Sequence, residues 1–250
     1  MDLTSFHLQI AQLRDSKMSG WSVVRWTGVL GLTAMVVQLV AVIVFSAGGL
    51  PPGFDDATKV LAFMKNGHVL FTTSLILFFI GLALFLGFIA GLRSVAVAAA
   101  ADHEWLATTT FAAGVVITLI AFVSLALILA STAIAASHHA DAALVRVLYE
   151  TSGVLGGAPS LVPLAFYLGA AGSLVATTKM LPHWLALAGW IGSVLVLIAS
   201  FSAYGGSDPA VFWSVNGFVT FLALLPLYVW TLGASIAFVR QTESVARRYT

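Results

Sequence analysis

The charges of this chain are confined to short intervals, and between them lie six stretches, each of about 20 residues or more, with no acidic, basic or histidine side chain: Trp26 to Phe54, Val69 to Leu92, Trp105 to Ser137, Thr151 to Thr178, Trp184 to Ser207 and Pro209 to Val239. A helix rises about 1.5 Å per residue and the hydrocarbon core of a bilayer is about 30 Å thick, so each stretch is long enough to cross a membrane as a helix. Lipid offers no partners to backbone N–H and C=O groups, and a helix satisfies its own. The expected fold is therefore all-α: a polytopic membrane protein of six transmembrane helices.

Hydrophobic residues make up 60% of the chain and charged residues 8%, against roughly 25% charged in a soluble domain. With 250 residues, the chain divides into an amphipathic N-terminal segment on the cytoplasmic side at 1–25, a transmembrane domain at 26–240 and a cytoplasmic tail at 241–250. Within the first segment Leu3, Phe6, Ile10 and Leu13 recur at helical spacing among polar residues, the pattern of a helix lying on a membrane surface. The first span is read as retained rather than cleaved. Its apolar run exceeds the roughly 7 to 15 residues of a signal h-region, and Phe45 occupies a position where cleavage needs a small residue.

Placing the N-terminus inside puts Arg14, Lys17, Arg25, Arg93, Lys179, Arg240, Arg247 and Arg248 on the inner face and only Lys59, Lys65 and Arg146 on the outer. Cytoplasmic loops retain Lys and Arg, so the expected location is the plasma membrane, multi-pass, with both termini cytoplasmic. Trp21, Trp26, Trp105 and Trp184 near inner span ends and Trp213 near an outer one suit indole rings at the headgroup layer. A net charge of +1 gives nucleic acid nothing to bind. The absence of cysteine removes disulfides, thiolate metal sites and thiol catalysis.

Three outer loops share a pattern. Asp55-Asp56-Ala57 precedes Asn66-Gly67, Asp141-Ala142 precedes Ser152-Gly153, and Asp208-Pro209-Ala210 precedes Asn216-Gly217. An aspartate can accept the free N–H groups of a first helical turn, and glycine allows a bend before the next span. The spans are thus expected as three hairpins with short outer-face helices. Small residues spaced four apart, at Ala83, Gly87 and Gly91, at Ala165, Gly169, Ser173 and Thr177, and at Gly153 and Gly157, predict close helix packing. Pro159, Pro163 and Pro226 are expected to interrupt spans four and six.

No ionisable group lies near the middle of a span, which removes the usual machinery of proton-coupled transport and voltage sensing. The polar side chains left at depth are Gln38, Thr118, Ser124, Tyr167, Ser193, Thr220 and Tyr228, expected mostly to bond to neighbouring helices. The outer face carries His68, His138, His139 and Asp141, with Glu150, Asp55, Asp56 and Asp208 nearby. Imidazole and carboxylate are ligand types for zinc or copper, so the first four form the candidate metal set. They show no fixed ligand spacing such as HExxH. No pattern names a catalytic set or a cofactor. Asp102, His103, Glu104 and His183 read as loop residues at inner helix ends.

The turn Met180-Leu181-Pro182-His183-Trp184, followed by Leu185-Ala186-Leu187-Ala188-Gly189-Trp190, resembles one in uncharacterised six-span integral membrane proteins of actinobacteria, which carry Leu-Pro-x-Trp-Leu-Gly before their fifth span. The Asp-Ala pair before span two is similar to theirs; Ala186 stands where that group usually has Gly. The resemblance implies the six-span layout and no activity. Membrane-embedded ceramidase-like hydrolases also gather His and Asp at one membrane face, but their HxxxH pair is missing here. The functional expectation is a non-enzymatic subunit or scaffold of a membrane complex, with a membrane protein or a second copy as partner, or a binder of a small lipophilic molecule. A transporter or channel for a neutral or lipophilic solute follows, and a metal-dependent intramembrane hydrolase comes third.

Overall fold

The computed structural model describes residues 3–49, 51–53 and 56–246, with side chains described for 23–49, 51–53 and 56–241. Eight α-helices account for most of this length: α1 (Leu3–Ser46), α2 (Ala57–Asn66), α3 (His68–Ala99), α4 (Glu104–Ala135), α5 (Ala142–Gly156), α6 (Ala158–Thr178), α7 (His183–Ser200) and α8 (Phe218–Ala246). Six spans are long and apolar enough to cross a membrane: Val23–Ser46 of α1, His68–Ala99, Ala101–Ala135, Ala142–Thr178, His183–Gly205 and Phe218–Gln241. The chain is an all-α polytopic membrane protein. The backbone of α1 is helical from Leu3 onward, so no break separates the segment before Arg25 from the span. The amphipathic face read for Leu3, Phe6, Ile10 and Leu13 falls on side chains outside the described residues.

The spans form a closed ring. Each packs on the next in chain order, and α8 returns to pack along α1. The membrane face carrying α2 and the loops after α4 and α7 is here called the cap face, and the opposite one the terminal face. The centre of the ring is filled by Phe85 and Phe88 of α3, Tyr167 of α6 and Trp230 of α8, all essentially inaccessible. Tyr167 meets Phe85 and Trp230 edge-on, at ring centroids 6.0 and 5.8 Å apart, a geometry that sets a positive ring edge against a negative face. The Trp230 indole N–H donates to the Leu185 carbonyl of α7 at 3.0 Å.

Small residues bring the helices together, because in lipid the attraction between spans comes from dispersion and hydrogen bonds, both of which need close approach. A close crossing joins α6 to α7: a Cβ at Gly189 would sit 2.7 Å from the Leu168 carbonyl oxygen and 2.8 Å from Gly172 Cα. The stripe Ala165, Gly169 and Ser173 does face α7. The Ser193 hydroxyl donates to the Ala165 carbonyl at 2.7 Å and the Trp190 indole donates to Ser173 at 3.1 Å. On α3, Gly87 faces Leu30 and Gly91 faces Thr27 of α1. Ala83 is exposed instead, and Gly81 receives the Gln38 side chain in its place.

All but Tyr167 of the polar side chains expected at depth find hydrogen-bond partners, in their own helix or on a neighbouring segment. Thr118 donates to the Gly114 carbonyl at 2.7 Å, Ser124 to Ser152 at 2.8 Å and Thr220 to Ser214 at 3.3 Å. Tyr228 donates to Gln38 Oε1 at 3.1 Å, tying the last span to the first. The Tyr167 hydroxyl is buried with no hydrogen-bond partner among the described residues, as are the Thr231 and Ser235 hydroxyls on the α8 face. Pro163 and Pro226 stay inside helices, whereas Pro159 lies in the first turn of α6, just past the break at Gly157 that divides span four into α5 and α6.

Candidate functional site

Local chemistry builds the cap face first. Asp56 caps α2, accepting from the backbone N–H groups of Thr58 at 2.9 Å and Lys59 at 3.3 Å and from the Thr58 hydroxyl at 2.7 Å. The Thr58 hydroxyl, and next the Lys59 backbone N–H, favour the ionised form and hold this carboxyl below its ordinary range. Asp141 caps α5 in the same way, accepting from Ala143 and Leu144 at 2.8 and 3.3 Å. The third loop departs from the pattern. Asp208 accepts from the Ala210 N–H at 2.9 Å, but turns follow instead of a helix. The segment's hydrogen bonds run mostly within its own turns, from the Val211 N–H to the Asp208 carbonyl, from Val215 to Gly206 and from the Asn216 amide to Ser207, while the Ser207 hydroxyl donates outward to Glu150. Asp55 lies outside the described residues.

The metal candidates are placed as follows. His68 is the exposed first residue of α3, and His138 and His139 lie exposed in the turn beyond α4, which ends at Ala135. Helical geometry therefore does not set the directions of the two adjacent imidazoles. One Asp141 oxygen is engaged by the N-terminus of α5. Among the described residues, no three His, Asp or Glu side chains are grouped as a set able to hold a metal ion.

What the cap face does assemble is a tethered loop. Residues 201–217 leave α7 in a 3-10 turn, Phe201–Gly205, and fold back on α5 and themselves. Gly153 of α5 and Gly157 at the break after it form the seat: Asn216 packs against Gly153, where a side chain would overlap it, and a Cβ at Gly157 would lie 3.0 Å from Val215. Ser207 donates to Glu150 of α5 at 2.6 Å, and the Asn216 amide donates to the Ser207 carbonyl at 2.9 Å. Arg146 lies 3.8 Å from the other Glu150 oxygen, one turn earlier on α5. Within the loop, Gly205 passes against the Trp213 carbonyl and Gly217 against those of Val211 and Phe212, approaches that only glycine permits.

This tethering sorts the side chains. Ser202, Ser214 and Val215 turn inward and are buried. Phe201, Tyr204, Phe212, Trp213 and Phe218 turn outward, Tyr204 being 88% exposed. The rings associate in pairs, Phe201 with Tyr204 and Phe212 with Phe218, each at centroids 6.2 Å apart. The result is an exposed aromatic surface between the end of α7 and the start of α8. From the residues alone, Trp213 reads as one interfacial anchor and Gly153-Gly157 as a packing pair. The available signal was the density of aromatics between two glycine-bounded turns.

No protein-family model matches the chain, and no curated protein or solved structure matches it.

Proposed function

We propose that the chain is a non-enzymatic integral membrane protein acting as a subunit or scaffold of a membrane complex, with the aromatic surface of residues 201–218 as its docking element. The observation that carries the reading is the orientation of that loop: hydrogen bonds and glycine contacts fix its inner side, and its aromatics point away from the fold. Ordering such a loop before binding lowers the entropic cost of association, and aromatic anchors dominate interface energies. The packed ring centre, filled by Tyr167 and Trp230, supports a scaffold over a conduit for solute.

The experiment is co-purification in mild detergent with protein mass spectrometry, comparing the parent with a Tyr204→Ala, Phe212→Ala variant. The expected result is a stoichiometric protein partner on the parent that is lost from the variant while the melting temperature holds. A parent that purifies alone as a monomer would remove the scaffold reading.

A lipid-facing groove of about 390 Å³ between α4 and α6, lined by Ala113, Val116, Val162, Pro163 and Phe166, favours binding of a lipophilic molecule as a second role. The proposed location is the plasma membrane with both termini cytoplasmic. Its support is the eight-to-three division of Lys and Arg between the two faces.

A further inference from the structure

On the terminal face, α7 begins beside the end of α8, and a groove of about 350 Å³ opens between them, lined by Pro182, Trp184, Gly233, Ile236, Ala237 and Arg240. The indole of Trp184 lies against Gly233, which leaves no room for a side-chain carbon there, so one wall is an aromatic ring on bare backbone. The Gln241 amide donates to the Met180 carbonyl at 2.8 Å, and this bond holds the end of α8 to the turn before α7.

Arg240 is the charged residue of this groove, and its guanidinium makes no hydrogen bond or ion pair among the described residues. The contrast with Arg93 is informative. That arginine, on the same membrane face, is neutralised by Glu104 at 2.9 Å and bonds to Thr108. Lys179, the residue before Met180, is exposed and likewise makes no ion pair among the described residues. Arg240 sits at the penultimate position of the apolar span Phe218–Gln241, where a long cationic side chain reaches headgroup depth. The groove below it offers Ile236, Ala237 and the Trp184 ring.

We propose that this groove binds one anionic phospholipid, with its phosphate on the Arg240 guanidinium and its glycerol and upper acyl carbons against Trp184 and Ile236. Arginine presents a planar fork of donors matched to phosphate oxygens. A basic pocket between spans, with an apolar floor continuous with the bilayer, takes a lipid headgroup in preference to a soluble anion. A zwitterionic lipid gains less, because its own ammonium competes for the phosphate.

The test is native mass spectrometry of the full chain in mild detergent, titrated with phosphatidylglycerol or phosphatidylcholine of the same acyl chains. The parent should retain the first about fivefold or more over the second, the difference expected of one surface cation. Arg240→Gln should abolish the preference, Arg240→Lys should restore part of it, and Arg93→Gln should leave it intact. Soluble glycerol phosphate should not displace the lipid. Equal retention of the two lipids by the parent, an unchanged preference in Arg240→Gln, or full displacement by glycerol phosphate would each overturn the proposal. None of these readouts depends on the aromatic loop, so the scaffold reading stands or falls separately.

Discussion

Tyr228 of α8 and Gln38 of α1, 190 residues apart in sequence, meet at 3.1 Å and close the ring of spans. Tyr167, on α6, carries the same phenol with no hydrogen-bond partner among the described residues. One chemical change should therefore have opposite outcomes at the two sites. Tyr228→Phe should lower stability by about 0.6 kcal/mol, the average for hydrogen bonds between spans, and by no more than about 1.7. Tyr167→Phe should leave stability unchanged or raise it by roughly 1 kcal/mol, since it removes an unpaired buried hydroxyl. Unfolding in detergent measures both, and equal losses would contradict the assignment.

The helix crossings rank the glycines. At Gly87 the nearest atom to an added Cβ is Leu30 Cδ1 at 3.1 Å, the mobile end of a side chain. At Gly189 the neighbours are backbone atoms that cannot turn aside. Gly189→Ala should cost on the order of 1–3 kcal/mol, the range for overpacking, and Gly87→Ala markedly less. Gly87→Leu, which forces α1 and α3 apart, should still lower the melting temperature. A larger effect of alanine at Gly87 than at Gly189 would mean the α6–α7 contact is looser than described.

Acid should loosen the α2 cap. The Asp56 carboxyl titrates below its unfolded value of 3.8, so its contribution is present above that pH and is lost as pH falls through the lower, folded value. Hydrogen exchange at the first turn of α2 should accelerate over that window in the parent, and Asp56→Asn should flatten the response. An identical profile in both would show that the cap does not titrate.

The histidines distinguish a metal centre from solvated helix ends. We expect negligible metal on the purified protein and a His68→Ala, His139→Ala variant that melts like the parent with or without chelator. One equivalent of zinc or copper, released below about pH 6 and missing from the variant, would establish the metal set with Asp141 and bring the hydrolase reading forward.

The proposed topology rests on the division of Lys and Arg between the two faces. A periplasmic reporter fused after Arg248 should be inactive, and one inserted near Gly53 active. The reverse pattern would invert both faces, and with them the side of the membrane to which the aromatic loop and the Arg240 groove belong.

What the sequence determined by itself was whatever depends on one segment and its solvent. Six apolar runs without a central charge dictate six helices, because lipid leaves the backbone no other partner. Asp56 and Asp141 were legible as caps because the groups they satisfy lie two and three residues away. The stripe Ala165, Gly169 and Ser173 was legible as a contact face because helical periodicity alone puts those residues in line. The tertiary structure alone decided which faces meet. Gly153 seats Asn216, Trp184 lies on Gly233, and Tyr228 reaches Gln38 across contacts that periodicity within one helix cannot specify. The third loop shows the limit from the other side: Asp208 carries the same local capping signal, yet Glu150 and the glycine seats at Gly153 and Gly157 bind that loop as turns. A capping bond is worth about 1 kcal/mol, and the loop's own turn bonds and these contacts together outweigh it.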